Sequence, residues 1–515
     1  MRLFFMQKQD ICTKFRHMAQ KPSTPKGMRD FLPSEVAKRV YLIKTITNQF
    51  ERFGFLPIET PAMERRELLL GKYGDEGDRL VFKVLNSGEK VKKADLNALS
   101  EGELSRFSNS LSEKALRYDL TVPLARFVAQ HQNDIQFPFK RYQVQSVWRA
   151  DRPQHGRFQE FTQCDADVIG SDSRIIEWEF VQLFDAVFSD LGLHGCALRI
   201  NHRKILSLLA EQSGAGDRMT AFLVILDKLD KIGWEKVVEN LQDEGFSTEK
   251  VEKLYALEDI SLSSIQKIDK LAELLDSKGS AQEAFDEMRF LFSSVDLESL
   301  QIDFDWTLAR GLDYYTGTIF EMAPPKQVKV GTIAAGGRYD NLTASFGLAD
   351  MSGIGVSFGL DRLYLVLEAL TLFPKHLSNP VDLMVVHFDQ EIVSQLMPLV
   401  GRLRQSGVKV MVYPDAVRLK KQFNYADKSG IPFVLVVGSE EFKNGEGLLK
   451  NMQSGVQNTI LLEHFDLVYS KHTHIYNFPF DFNLSVVIYF NSGKLVNYIF
   501  KLAFRAIFKR VCVIN

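Results

Sequence analysis

Residues 139–149 and 157–169 read as two long strands joined by a short polar loop, Ala150-Asp-Arg-Pro-Gln-His-Gly156, with Arg149 and Arg157 at its two ends. This strand–loop–strand constrains the fold more than any other stretch. Strands of that length belong to a sheet, and the loop sets two permanently charged guanidinium groups at one end of it. Gln163 and Asp167 lie four residues apart on the second strand, hence on one face. Upstream, Val36, Val40, Ile43, Ile46 and Phe50 recur at helical spacing, so 34–53 reads as a helix with Ser34 as its cap. Gly54-Phe-Leu-Pro-Ile-Glu-Thr-Pro61 reads as a strand stopped by proline. Phe82-Lys-Val-Leu85 is a short strand, and the polar stretch 86–112 reads as a mobile insertion. Residues 172–191 read as an amphipathic helix. Strands at 302–308, 315–323 and 330–336 precede one more strand, which runs into a helix from Leu360.

The pattern changes twice. Between about 201 and 300, Leu223, Leu226 and Leu229, then Leu271, Leu274 and Leu275, then Phe285, Met288 and Leu291 fall at three- and four-residue spacing, with charged residues between them. That predicts an all-helical segment. From 381 to 464 the order is strand (381–387), helix (391–406, stopped by Gly407), strand (408–413), helix (419–429, stopped by Gly430) and strand (433–437). A β-α-β-α-β order implies a separate parallel-sheet domain. Beyond it, Asp466–Asn515 is rich in Phe, Tyr, Ile and Val, and Asn483-Leu-Ser-Val-Val-Ile-Tyr-Phe490 has the makeup of an aggregation-prone strand. Phe500, Phe504 and Phe508 could form one helical stripe beside Lys501, Arg505 and Lys509, fit for a membrane surface or a partner. A loosely packed or lineage-specific extension is the blander reading of the same tail.

A chain of 515 residues is too long for one ordinary core. Its net charge of −2 means that any nucleic-acid contact must come from a local basic surface. The four cysteines are far apart and form no C-x-x-C pair, which argues against a zinc site or disulfide framework. No apolar run reaches the roughly 20 residues of a membrane span. No G-x-x-x-x-G-K-[ST] occurs, which excludes a P-loop. Met1–Arg16 carries four basic residues and one acid. It reads either as a weak organelle-targeting segment or as a short extension before Met18.

Three stretches resemble the histidyl-tRNA synthetases, which are class II aminoacyl-tRNA synthetases. The run from Phe139 to Asp167 looks like class II motif 2. Arg310-Gly-Leu-Asp-Tyr-Tyr-Thr-Gly-Thr-Ile-Phe-Glu321 looks like the peptide that sets the histidine enzyme apart, and Gly353-Ile-Gly-Val-Ser-Phe-Gly-Leu-Asp-Arg-Leu363 looks like motif 3. Gly54–Pro61 looks like motif 1, the family's dimer element. The likeness spans roughly residues 20 to 464. It implies an α+β class II catalytic domain built on an antiparallel sheet with a helical insertion, plus a C-terminal α/β anticodon-binding domain. The expected boundaries are an N-terminal extension (1–19), catalytic domain (20–200), helical insertion (201–300), catalytic domain continued (301–375), anticodon-binding domain (380–464) and a tail of unknown role (465–515).

The implied reaction is ATP-dependent formation of histidyl-adenylate and transfer of histidine to the 3′ end of tRNA(His). In-line displacement at phosphorus asks a site for charge and geometry more than for a strong base. By resemblance, Arg149 holds the α-phosphate and the histidine carboxylate. Arg157 and Arg362 hold the outer phosphates, Asp151 lies near the nucleotide and Phe161 stacks on adenine. Arg310 meets the α-phosphate from the opposite side, doing work that other class II enzymes give to a metal ion. Asp119 and Thr121, within Arg117-Tyr-Asp-Leu-Thr-Val-Pro123, hold the amino group. Gln163 and Asp167 fit the amino and carboxylate region, and of Tyr314 and Tyr315, which alternate faces on a strand, Tyr314 fits the imidazole with an Asp or Glu reinforcing it from behind. The acids here are both Asp where some members carry Glu, so their reach is shorter. Arg152 and Gln154, on the motif 2 loop, are the candidates for reading the extra 5′ guanosine of the tRNA. The glycines of Ala335-Gly-Gly-Arg338 are expected to let the backbone approach the substrate. The resemblance further implies Mg2+ brought with ATP and no metal site of the protein's own, a homodimer, no membrane association and a cytoplasmic location. The alternative is a catalytically inactive histidine-binding regulatory paralogue. Such relatives tend to lose the ATP arginines, the insertion or the C-terminal domain, and this chain keeps all three.

Overall fold

The computed structural model describes residues 22–73, 79–255, 262–294, 297–309, 315–340, 342–374, 377 and 381–465. The expectations for 1–19, for 466–515, and for Arg310 and Tyr314 lie outside the described residues. The chain divides into two compact units, one ending at Ser378 and one beginning at Asn379.

In the first unit, β1 (Leu56–Pro57) is followed by a small sheet of β2 (Met63–Arg65), β3 (Lys83–Val84) and β4 (Lys114–Leu116). Then come β5 (Phe139–Trp148), β6 (Glu160–Ile169), β7 (Ala197–His202), β8 (Gln301–Phe304), β9 (Thr318–Ala323), β10 (Ala334–Arg338) and β11 (Gly353–Gly359). The main sheet runs β1-β5-β6-β11-β10-β9-β7-β8. Its ladders are antiparallel except at the two edges, where β1 lies parallel to β5 and β8 parallel to β7. The expected strand–loop–strand is β5 and β6, paired from Phe139↔Ile169 to Trp148↔Glu160.

One face of this sheet is closed by the helices Pro33–Arg52, Ile175–Asp190 and Leu360–Ala369. Phe50, Phe180, Phe184, Phe188 and Phe358 are fully buried and meet ring against ring at centroid distances of 5.3–6.0 Å where Phe358 packs on Phe50, Phe184 and Phe188. Each buried ring is worth roughly 1.5–3 kcal/mol of burial. The described residues between 203 and 294 fold mainly as helices, as their spacing predicts, and this segment joins β7 to its parallel neighbour β8. A parallel pair needs such a crossover. Leu226, Leu271, Phe285, Met288 and Leu291 belong to the same apolar core as Phe184 and Phe358, so the helical segment is packed on the sheet.

Four local expectations need correction. The first helix starts at Pro33, with the Glu35 carboxylate accepting from the Leu32 N–H at 2.8 Å, so Ser34 is not its cap. It buries Leu42, Ile46, Gln49 and Phe50, while Val36 and Val40 are exposed. The strand after Gly54 is only the two-residue edge strand β1, because Pro57 has no N–H to extend the ladder. Residues 88–110 are not structureless: they hold a 3-10 turn (Gly88–Lys93) and short helices at Leu96–Ser100 and Leu104–Ser110. Asp95 caps the first of these by accepting from Ala98 N–H at 3.0 Å, and Ala98 is buried. Finally, the strand expected at 330–336 is β10, beginning at Ala334.

The second unit has β12 (Leu383–His387), β13 (Val410–Val412), β14 (Phe433–Val437), β15 (Glu446–Asn451) and β16 (Gln457–Leu461) in the order β13-β12-β14-β15-β16. β12, β13 and β14 are parallel, joined by the helices Gln390–Gln405 and Leu419–Lys428, which end just before Gly407 and Gly430. Leu383, Val385, Leu435 and Val437 face one core, and Met384, Val386 and Val434 the other. Burial on both faces is why these strands read as unbroken apolar runs. The antiparallel pair β15–β16 extends the sheet beyond the expected β-α-β-α-β unit.

Candidate active site

Alternation along β6 divides its chemistry. Cys164, Ala166 and Val168 enter the core. Phe161, Gln163, Asp165 and Asp167 occupy the opposite face. Where that face meets the β5–β6 loop, a cleft of about 810 Å³ opens, and Arg149, Asp151, Arg157, Phe161 and Arg362 all line it. The five described residues expected at the nucleotide thus line one cleft, and Arg310 lies outside the described residues. Arg149 is oriented by Nε donation to Tyr118 O at 3.0 Å, and its guanidinium lies 4.2 Å from the Tyr118 ring and 5.2 Å from Phe161. Asp151 is buried and paired with Arg157 at 2.7 Å, while Arg157 itself is half exposed. Arg362 donates from Nε to Gly156 O at 3.0 Å and from Nη1 to Thr332 O at 2.6 Å. Asp361, beside it, accepts from Arg29, from Arg39 at 2.6 Å and from Thr162 N–H at 2.9 Å. That fixes the start of the helix Leu360–Ala369 against β6.

The loop closes through paired backbone bonds between Gln154 and Arg157, leaving Arg152, Gln154 and His155 exposed at its tip. Three planar cations on one wall suit a polyphosphate, which their fixed forks grip without a base.

Further along the same face the site becomes acidic. Asp119 is buried at the start of the helix Thr121–Gln130 and accepts from Tyr73 Oη and from Val122 N–H, each at 3.1 Å. Thr121 is the first residue of that helix and is partly exposed. Gln163 donates from Nε2 to Ser357 Oγ at 2.7 Å. Asp167 is ion-paired at 2.7 Å with Arg141, which is 0% exposed, and also accepts from Tyr339 Oη. A Cβ on Gly355 would meet the Asp167 carboxylate at 1.9 Å, so only glycine there leaves room for it. Burial raises the Asp167 carboxyl above the usual range although Arg141 pulls it down. Asp165 is 2% exposed, and burial pushes its carboxyl up to about 7, with Arg141 opposing and Asp167 adding to the rise. Tyr315 is partly buried, and burial together with Asp167, Asp119 and Asp165 raises its hydroxyl. Its ring fills the place of a Gly337 Cβ, so this glycine makes room for Tyr315 and for the β9 backbone.

Sequence reasoning missed two groups. Arg141, Asp165 and Tyr339 build the acidic end, and alternation along β5 and β6 contained the signal for the first two. Arg203, Thr220, Asp227 and Lys228 line the nucleotide cleft from the helical segment. Nothing in their local pattern announces this, because only the packing of the crossover brings them there.

The family model for histidyl-tRNA synthetase matches residues 100–363, and that for the anticodon binding domain matches 381–467. The chain belongs to the histidyl-tRNA synthetase family. It is 52% identical to a histidine–tRNA ligase of Christiangramia forsetii over 86% of this chain and 98% of that one. A histidine–tRNA ligase of Flavobacterium johnsoniae is 49% identical, with 87% and 98% covered. Among solved structures, the histidyl-tRNA synthetase of Nostoc sp. PCC 7120 superposes with a TM-score of 0.72 at 31% identity, covering 88% of this chain and all of that one. As a member of this family the chain is an aminoacyl-tRNA synthetase with a class II catalytic fold and an anticodon-binding domain. Among the described residues no helix is long and apolar enough to cross a membrane.

Proposed function

We propose a division of labour within this site for the reaction of a histidine–tRNA ligase. That reaction joins L-histidine to AMP at the expense of ATP, then transfers it to the 3′ end of tRNA(His). Arg149 binds the α-phosphate and the histidine carboxylate, Arg157 and Arg362 the outer phosphates, and Phe161 the adenine ring. Arg310 completes the charge around the α-phosphate. Asp119, Thr121 and Gln163 receive the ammonium group, and Tyr314 and Tyr315 flank the side chain. Arg152 and Gln154 meet the acceptor end of the tRNA. The carrying observation is that Arg149, Arg157 and Arg362 line one cleft together with Phe161 of β6, the strand whose same face carries Gln163 and Asp167 farther along. Phosphate-binding cations beside an ammonium-binding carboxylate are what adenylation of an amino acid requires.

A Mg2+ ion brought with ATP would meet carboxylates that line the cleft. Asp151 and Asp227 are the cleft carboxylates that would meet it, Asp361 being held by Arg29 and Arg39. Once bound, the ion would neutralise phosphate charge.

We further assign the helical segment 201–300 to the acceptor stem, 380–464 to the anticodon, and the whole to a cytoplasmic homodimer. Exposed Val36, Val40, Leu56 and Met63 support the dimer. Sedimentation at micromolar concentration tests it: a monomer would overturn that assignment. The activity is tested by ATP–pyrophosphate exchange with each of the twenty amino acids. Only histidine should support exchange, and stimulation by another amino acid, or by none, would overturn the reading.

A further inference from the structure

We propose that Lys228, on the turn after the helix Met219–Leu226, binds the pyrophosphate that leaves ATP, so that the helical segment serves the first chemical step before any RNA arrives. This rests on the adenylating function proposed above. There the segment was given to the acceptor stem of the tRNA. Its helix is nevertheless a wall of the nucleotide cleft.

Thr220, Val224 and Lys228 are spaced four apart, on one side of the chain as it runs through the helix into its closing turn. All three line the cleft that Arg149, Arg157 and Arg362 also line. The other side of the helix is fixed. Phe222, Ile225 and Leu226 are buried in the apolar core that the segment shares with the sheet. The start of the helix is held too. Arg218 donates from Nη2 to Glu244 O at 2.7 Å, and its guanidinium lies 4.4 Å from the Phe246 ring, which meets Phe222 edge-on at 5.6 Å. Val224 and Lys228 stay exposed, so an anchored helix turns an open face to the cleft.

The cations given to ATP above are tied down. Arg149 donates from Nε to Tyr118 O, Arg362 donates from Nε and Nη1 to Gly156 O and Thr332 O, and Arg157 is paired with Asp151. Among the described residues the Lys228 ammonium pairs with no carboxylate. A pinned guanidinium holds a phosphate in place, whereas a compact ammonium on a flexible stem can follow one that moves. The first step moves one. A carboxylate oxygen of histidine bonds to the α-phosphorus, the bond from that phosphorus to the α–β bridging oxygen breaks, and the electron pair departs on pyrophosphate. Negative charge grows on the leaving group, and a cation that meets it there favours the step.

The test is ATP–pyrophosphate exchange with the full chain and histidine, in the absence of tRNA. Lys228→Ala should raise the KM for pyrophosphate about tenfold, the worth of one hydrogen bond between charged groups at an open site. The KM for ATP should rise with it, and the KM for histidine should stay within about twofold. Lys228→Arg keeps the charge and should hold both phosphate KM values within about threefold of the parent. Both variants should melt as the parent does, because Lys228 is exposed. A pyrophosphate KM within about twofold of the parent in Lys228→Ala overturns the assignment. Normal exchange with slowed charging of tRNA also overturns it and gives Lys228 to the RNA. Absence of histidine-dependent exchange in the parent overturns the proposed function, which is a different failure.

Discussion

Replacing Asp165 by Asn (Asp165→Asn) carries a prediction about stability, independent of any ligand. In the fold the Asp165 carboxyl is raised to about 7 by burial, whereas in an open chain it titrates near 3.9. The sign follows from proton counting. Between those two values the native state holds a proton that the unfolded state has released, so stability falls as pH rises from about 4 to about 7 and is flat above. Integrated, the penalty is about 1.5 kcal/mol at pH 5 and about 4 kcal/mol at pH 8. Asn keeps the shape and carries no charge, so the variant escapes the penalty. Its advantage over the parent should therefore grow by about 2–3 kcal/mol between pH 5 and pH 8. For a cooperative unit of several hundred residues that is about 3 °C in melting temperature. The assay is calorimetric melting of parent and variant at both pH values without histidine or ATP. Parallel pH dependences would refute the reasoning, because they would mean that Asp165 is ionised in the native state as readily as in the open chain.

Arg310→Ala should abolish adenylate formation, since losing one preorganised charge donor costs about 10²–10³ in rate; exchange within about twofold of the parent would remove Arg310 from the site. Gln154→Ala should weaken charging of tRNA carrying the additional 5′ guanosine and spare tRNA lacking it, and equal losses on both would mean general positioning. Ending the chain after Phe465 should leave charging unchanged and improve solubility, because an apolar β-prone segment is removed; lost aminoacylation would make the tail part of the working protein. Phe465→Ala, by contrast, should destabilise the second unit by about 3–5 kcal/mol, because Phe465 is buried in its core beside Leu462. A denaturation midpoint unchanged by this substitution would contradict that packing.

What the chain revealed by itself was whatever a local period encodes. Gly407 and Gly430 stop their helices, and Phe285, Met288 and Leu291 are buried as their spacing predicts. The failures share a cause. Val36 and Val40 fit a helical stripe, yet which stripe is buried depends on where Phe180 and Phe358 stand, and that is tertiary information. Residues 88–110 looked structureless because their helices are too short to show a period. The pair β15–β16 was missed because its burial pattern does not alternate cleanly. At the site, the residue types and their convergence were legible through the motifs, and the partners were not. Nothing in Gln163-Cys-Asp-Ala-Asp167 says which acid is committed to Arg141, a residue on the neighbouring strand.

The placement of Arg362 bears on how any of these variants is read. Its guanidinium lines the nucleotide cleft and also holds Gly156 O, the base of the loop whose tip exposes Arg152 and Gln154. The loop's return strand is anchored separately: Gln159 N–H donates to Gly27 O at 2.8 Å, its Nε2 to Asp151 O at 2.9 Å, and Arg29 covers Phe158 at 3.5 Å. Nucleotide wall and loop tip are thus two ends of one hydrogen-bonded body. Losing the Arg362 side chain removes a phosphate contact and a loop anchor together, so slow charging in such a variant would not separate the two steps. Gln154→Ala leaves every one of these anchors in place, because the Gln154–Arg157 closure is made by backbone groups. Of the two substitutions, it alone isolates the contact with RNA from the geometry that presents it.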